Sequence, residues 1–281
     1  MKEIALPASL SELWRCFEAK PGARVYAGGT DLLVGVYHGL VNPQALICLD
    51  RIAELKEVFE EGDYVRIGPC ATHIQLLGEP LIEDHLPVLR RAVGTIGSPA
   101  IRNMGTIGGN ICTASPAGDT LPPLYALKAE VELRSKDGAR LLPIADFITG
   151  PGATRIRPEE ILAGVRVKKP VEYNRHHFEK VGLRNALACS VVSMAALLRL
   201  APDGMVEKAS LSWGSAGPTI VVCPEAEEAL IGKPLSTASL RQAASLARKA
   251  VSPISDIRAS ADYRRSVAGN LLLRLSSLMV S

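Results

Sequence analysis

Two glycine pairs, each in the same local setting, constrain this chain more than any other feature. The first lies in Val25-Tyr26-Ala27-Gly28-Gly29-Thr30-Asp31-Leu32-Leu33, the second in Gly105-Thr106-Ile107-Gly108-Gly109-Asn110-Ile111. In each, apolar sequence leads into adjacent glycines, a small polar residue follows, and apolar sequence resumes. Glycine has no Cβ, so its backbone can come close to a ligand and can take φ > 0. A Thr hydroxyl or Asn amide beside it can bond a phosphate oxygen. Consecutive N–H groups in such a turn, or at a helix start, form an anion cradle. Two cradles suit a ligand with two phosphates, which makes a dinucleotide the natural candidate. Either pair alone also reads as an ordinary tight turn. No G-x-G-x-x-G follows a strand, and Gly232-Lys233 runs into Pro234 without an upstream glycine, so neither a Rossmann fingerprint nor a P-loop is present.

Composition narrows the function classes. Lys plus Arg number 32 and Asp plus Glu 29, a net charge of +3, which is too balanced for the basic stripe of a nucleic-acid binder. Aromatics at 4% are too sparse for base stacking. No apolar run reaches the roughly 20 residues that cross a bilayer; Ser193 and Arg199 interrupt the richest stretch, Val191 to Leu200. Glu3 and Pro7 break the start where a signal peptide needs continuous apolar sequence, so the expectation is a cytoplasmic protein with no integral membrane segment. The six cysteines include no C-x-x-C, and the five histidines no ligand spacing, so no metal site is expected. There is no G-x-S-x-G elbow and no evident acid–base pair. No residue is therefore assigned a catalytic role, and a bound cofactor is expected to supply the chemistry.

Along the chain, strands are expected at 3–6, 24–27, 45–49, 64–67 and 129–134. Helices are expected after the capping pattern Ser9-x-x-Glu12, after Thr72, and over 87–93 and 121–127. Asp137-Gly138 and Asp203-Gly204 mark hairpins. Gly150-Pro151-Gly152, Pro158 and Pro170 punctuate a change of character. Beyond it, 175–181, 191–200 and 205–213 read as antiparallel strands, and helices follow from Thr237 and over 267–279. Local strand clusters without a regular βαβ alternation predict an α+β fold, not a doubly wound sheet.

Ala27-Gly28-Gly29-Thr30-Asp31-Leu32, Thr106-Ile107-Gly108-Gly109-Asn110 and Ser115-Pro116-Ala117-Gly118-Asp119, in this order, resemble the FAD-binding medium subunit of molybdenum hydroxylases. That family includes the medium subunits of carbon monoxide, nicotinate and xanthine dehydrogenases. Gly68-Pro69-Cys70-Ala71-Thr72-His73, Pro158-Glu159-Glu160-Ile161-Leu162 and Phe178-Glu179-Lys180-Val181-Gly182-Leu183-Arg184 extend the likeness over the whole chain. The resemblance implies a vanillyl-alcohol-oxidase/PCMH-like FAD domain over 1–170 and a C-terminal domain over 171–281. It implies FAD as cofactor, contacted by Ala27, Gly28, Gly29, Thr30, Asp31, Leu32, Ile96, Thr106, Gly108, Gly109, Asn110, Asp119 and Lys180. It further implies a small iron–sulfur subunit (2Fe-2S) and a large molybdenum-cofactor subunit as partners, in a dimer of heterotrimers. Electrons would leave the FAD for NAD or a quinone.

Several of these residues have a plainer reading as well. Asp31 suits a helix N-terminus as well as a ribose hydroxyl, Asp119 could cap the helix near Leu121, Asn110 could be a left-handed turn residue, Lys180 could be solvated and Ile96 could be core. Two other functions stay open at this level: a stand-alone FAD-dependent oxidoreductase, and a non-catalytic nucleotide-binding module.

Overall fold

A computed structural model describes residues 3–280; residues 1, 2 and 281, at the ends of the two expected domains, lie outside the described residues. The chain opens with β1 (Glu3–Ala5), α1 (Leu10–Ala19), β2 (Arg24–Tyr26), α2 (Leu32–Tyr37) and β3 (Ala45–Cys48). Ser9 caps α1, its Oγ accepting from the Glu12 N–H. The Glu12 carboxylate takes the N–H of Ala8, so the expected capping box closes one residue early. The three strands form a parallel sheet in the order β1-β3-β2. A small βαβ unit therefore stands where the sequence pattern showed none, within an α+β whole. Helix α2 buries no residue, and Leu33, Val34 and Tyr37 stand exposed on it.

The second sheet has five strands in the order β4-β5-β10-β6-β7: β4 (Val58–Glu61), β5 (Tyr64–Ile67), β6 (Glu130–Ser135), β7 (Gly138–Pro143) and β10 (Ile161–Lys168), with β8 (Ile148–Gly150) and β9 (Ala153–Thr154) forming a separate hairpin. Its apolar face, with Val65, Ile67, Val131, Leu133, Val165 and Val167 fully buried, packs against a cluster of short helices. These are α3 (His73–Gly78), α4 (Pro80–His85), α5 (Pro87–Gly94), α6 (Pro99–Met104), α7 (Ile107–Thr113), α8 (Leu121–Ala126) and α9 (Ile144–Phe147). Thr72 and Gln75 close a capping box on α3. The segment around the second glycine pair, read from sequence as a turn, is the start of helix α7, capped by Thr106.

The third sheet is antiparallel: β11 (Arg175–Val181), β12 (Val192–Leu200), β13 (Val206–Gly214) and β14 (Val221–Val222). Alternation along β12 sorts its side chains onto two faces, since neighbours in a strand point opposite ways. Met194, Ala196 and Leu198 join the core beneath α10 (Pro224–Glu228), α11 (Thr237–Ala250) and α12 (Ala261–Leu273). Ala195 and Leu197 join the core of the five-stranded sheet and its helices. The final helix thus begins six residues before the expected Val267 and gives way at Arg274 to a 3-10 turn; Ser260 caps it, its Oγ accepting from the Tyr263 N–H. Serines stitch the inner face of the third sheet to α8: Ser210 Oγ donates to Ala126 O (2.8 Å) and Ser212 Oγ to Pro122 O (2.7 Å). No helix among the described residues is long and apolar enough to cross a membrane.

Candidate functional site

The two glycine segments meet. A Cβ on Gly28 would lie 1.7 Å from Met104 O, and the Thr30 hydroxyl lies over Gly105. Gly108 is pressed against Pro69, where a Cβ would come within 2.5 Å of the proline Cβ and 2.7 Å of its carbonyl oxygen. Three backbone bonds anchor the second segment to the chain before α3: His73 N–H to Gly105 O (2.9 Å), Ile107 N–H to Ala71 O (3.1 Å) and Gly108 N–H to Pro69 O (2.8 Å). Gly28 and Gly108 are therefore glycines because protein, not ligand, fills the Cβ position. Gly109 differs: it is exposed, and a Cβ there would meet only its own cap, Thr106 Oγ1, at 3.1 Å. Gly29 takes φ +70°, where glycine is favoured.

The backbone donors are distributed unequally. In the first segment no described residue accepts from the N–H groups of residues 28–32, a consecutive run of free donors at the mouth of α2 of the kind that can serve as an anion nest. In the second segment each N–H from Ile107 to Asn110 is used: Ile107 and Gly108 as above, Gly109 to Thr106 Oγ1 (3.1 Å), and Asn110 to Thr106 O (3.0 Å). The second glycine pair and its neighbours Ile107 and Asn110 keep no N–H for a phosphate; what this stretch presents is the bare Gly109 and the half-buried Asn110. Asp31 stands at the N-cap of α2 without capping it, and its Oδ2 accepts from Thr113 Oγ1 (3.2 Å) on α7, so it bridges the two segments. Ala27 precedes this run and Leu32 ends it; both are half-buried.

From Asn110 the contacts run on to the third sheet. Thr120 Oγ1 donates to Asn110 Oδ1 (2.6 Å). Asn110 is thus a helical residue and not a left-handed turn. The next residue back, Asp119, is buried and does not cap α8; Thr120 holds that position without a side-chain bond. Asp119 Oδ2 instead accepts from Lys180 Nζ at 2.5 Å, and Oδ1 accepts from Ser190 Oγ. Lys180 Nζ also reaches Thr95 O (3.2 Å), next to the half-buried Ile96. Lys180 is on β11 two residues after Phe178, so both side chains leave the same face, and Phe178 sits in the core below α5 and α8. Lys180 is thereby aimed into the junction rather than solvated. Burial pushes the Asp119 carboxyl above its ordinary range, while the Lys180 ammonium and the Ser190 hydroxyl pull it down.

Contacts join Gly28, Thr30 and Asp31 to the second segment, and Asn110 leads through Thr120 to Asp119, Lys180 and, by way of Thr95, Ile96. No sequence signal points to Ser190, Thr113 or Thr120, ordinary hydroxyls whose partners are distant in the chain. His73 is buried behind Gly105, its Nδ1 has no hydrogen-bond partner among the described residues, and burial, helped by the Arg102 charge, pushes its pKa down to about 4. Among the described residues no group of His, Cys, Asp or Glu is arranged to hold a metal ion. Cys48, Cys70 and Cys223 are buried, and Cys112 and Cys189 are exposed.

An open run of N–H donors at one end and a buried Asp–Lys pair at the other fit the diphosphate and the polar ring of FAD. Comparison with known proteins gives the family. Residues 1–170 match the FAD binding domain in molybdopterin dehydrogenase, and residues 176–278 match the CO dehydrogenase flavoprotein C-terminal domain. The chain is 32% identical over 259 residues to the xanthine dehydrogenase FAD-binding subunit of Escherichia coli O157:H7, covering 92% of this chain and 88% of that one. It is 32% identical over 274 residues to the nicotinate dehydrogenase FAD-subunit of Eubacterium barkeri, covering 95% and 92%. A crystal structure of Cu,Mo-CO dehydrogenase superposes with a TM-score of 0.92 at 31% identity, covering 97% of this chain and 95% of that one. The chain belongs to the family of FAD-binding medium subunits of molybdenum hydroxylases, an oxidoreductase family, and its cofactor is FAD.

Proposed function

We propose that this chain carries electrons, through its FAD, between an iron–sulfur partner and a separate acceptor such as NAD or a quinone. The observation that carries this reading is the pairing of a phosphate nest with a buried ion pair, in a chain whose described residues offer no metal cluster. On this reading the N–H groups of residues 28–32 hold the diphosphate, Gly109 lets the cofactor pass close to α7, and Asn110 lines its path. Ile96, Asp119 and Lys180 would line the ring. Bound FAD accepts electrons one at a time and releases them as a pair. The chain's own residues bind and orient it and set the field around the ring. Lys180 and Asp119 face each other, so the site offers the ring a nearly neutral pair instead of a bare cation.

The partners on this reading are a small subunit holding 2Fe-2S clusters and a large subunit holding the molybdenum cofactor, assembled as a dimer of heterotrimers in the cytoplasm. Residues 1–170 act as the FAD-binding domain and 171–281 as the C-terminal domain. The experiment is recovery of the tagged chain from its native cell. One iron–sulfur subunit and one large molybdenum subunit should accompany it, and the isolated chain should oxidise no aldehyde or heteroaromatic compound. A monomer with full activity on an organic substrate contradicts the reading and favours a stand-alone flavoenzyme; a colourless protein favours a nucleotide-binding module.

A further inference from the structure

Ser190 is fully buried, and neither the family motifs nor the proposed cofactor path accounts for it. Its Oγ donates to Asp119 Oδ1, completing a carboxylate whose other oxygen is held by Lys180. Its backbone is equally fixed. Ser190 O accepts from Ser215 Oγ (3.0 Å), and Ser215 N–H donates to Pro116 O (2.7 Å) in the loop that carries Asp119. One residue on, Val191 O accepts from Arg264 Nη1 (2.7 Å), and the same guanidinium is tied to Asp256 through Nη2 (2.7 Å). Arg264 is itself buried, a cation of α12 spent on holding the start of β12. A hydroxyl held this firmly fixes the direction of the Asp119 carboxylate and offsets part of its charge, because a charge-assisted bond is short and directional.

We infer that Ser190 is a positioning residue of the flavin site, acting through Asp119 on the electron affinity of the cofactor. This rests on the placement of Asp119 and Lys180 beside the flavin ring proposed above. Removing the hydroxyl leaves the carboxylate charge less compensated, which disfavours adding electrons to the neighbouring ring.

The test compares FAD-loaded wild type with Ser190→Ala, Ser190→Thr and Asp119→Asn, each in the assembly the wild type forms. The readouts are FAD content, the equilibrium of flavin reduction against a reference dye, and the thermal midpoint. Ser190→Ala should keep its FAD, and its reduction equilibrium constant should fall at least threefold. Ser190→Thr, which keeps a hydroxyl, should stay within twofold of wild type. Asp119→Asn, which unmasks Lys180, should shift the constant upward. An unchanged equilibrium in Ser190→Ala, whatever its thermal midpoint, overturns the inference while leaving the functional reading standing. If Ser190→Ala does not fold, Ser190→Cys, with its weaker S–H donor, should shift the constant in the same direction, and no shift there is equally fatal. A wild type without flavin overturns the functional reading first.

Discussion

At the scale of single residues, the four glycines of the two pairs do different work, and the difference is measurable. Gly108→Ala places a methyl against the rigid Pro69 ring and its carbonyl. Overpacking of this kind costs about 3 kcal/mol, so the denaturation midpoint should drop. Gly109→Val meets little protein and should leave the midpoint close to wild type, yet its branched side chain intrudes on the cofactor path. Its FAD affinity should fall tenfold or more, about 1.4 kcal/mol, as read by titration of the stripped protein. The opposite pattern would mean that Gly109 does not face the ligand. His73 supplies a pH-dependent term. Its pKa is lowered from 6.5 to about 4, first by burial and then by Arg102, so between these values the unfolded chain holds a proton that the folded chain refuses. Stability from this group is therefore complete above pH 6.5 and is lost as pH falls toward 4, on the order of 3 kcal/mol in total. Comparing denaturant midpoints at pH 7 and pH 5 should show the loss in wild type and a smaller one in His73→Leu.

At the scale of elements, what was legible in the sequence depended on whether the signal was local. Ser9, Thr72 and the Asp137-Gly138 turn act within a few residues, and each marks the element it appeared to mark. Leu240, Ala243, Ala244 and Ala247, spaced for one helix face, are all buried on α11. Strand β10 was not legible. Its run Ile161–Lys168 lies between Pro158 and Pro170, so it read as a boundary, although it is the central strand of the five-stranded sheet. A strand buried on nearly all its positions shows no alternation to betray it. The glycine pairs stood out in the sequence, but not the different surroundings of their members, because Pro69 and Met104 reach Gly108 and Gly28 only through the fold. Asp119 looked like a helix cap from its neighbours; its actual partners, Lys180 and Ser190, are 61 and 71 residues away. The stitching of α8 to the third sheet was equally hidden. Ser210→Ala and Ser212→Ala each remove one buried hydrogen bond and should lower stability by about 1 kcal/mol. In the double variant the halves should also cleave more readily in limited proteolysis.

At the scale of the whole molecule, two cores share one junction. The five-stranded sheet and its helices form the first, and the third sheet with α11 and α12 forms the second. Phe178, Ala195 and Leu197 cross from the second body into the first core, and Asp119 of the first body is held by Lys180 and Ser190 of the second. On the proposed reading the cofactor path ends at this seam, so a shift of one body against the other would change the surroundings of the ring. The central claim is that this path holds FAD, with the diphosphate on the nest at residues 28–32. The most direct measurement is chromatography of the cofactor released by heat or acid from the purified chain. The account predicts one FAD per chain in wild type and little in Gly109→Val. FMN, or no flavin in a folded wild-type protein, would contradict it.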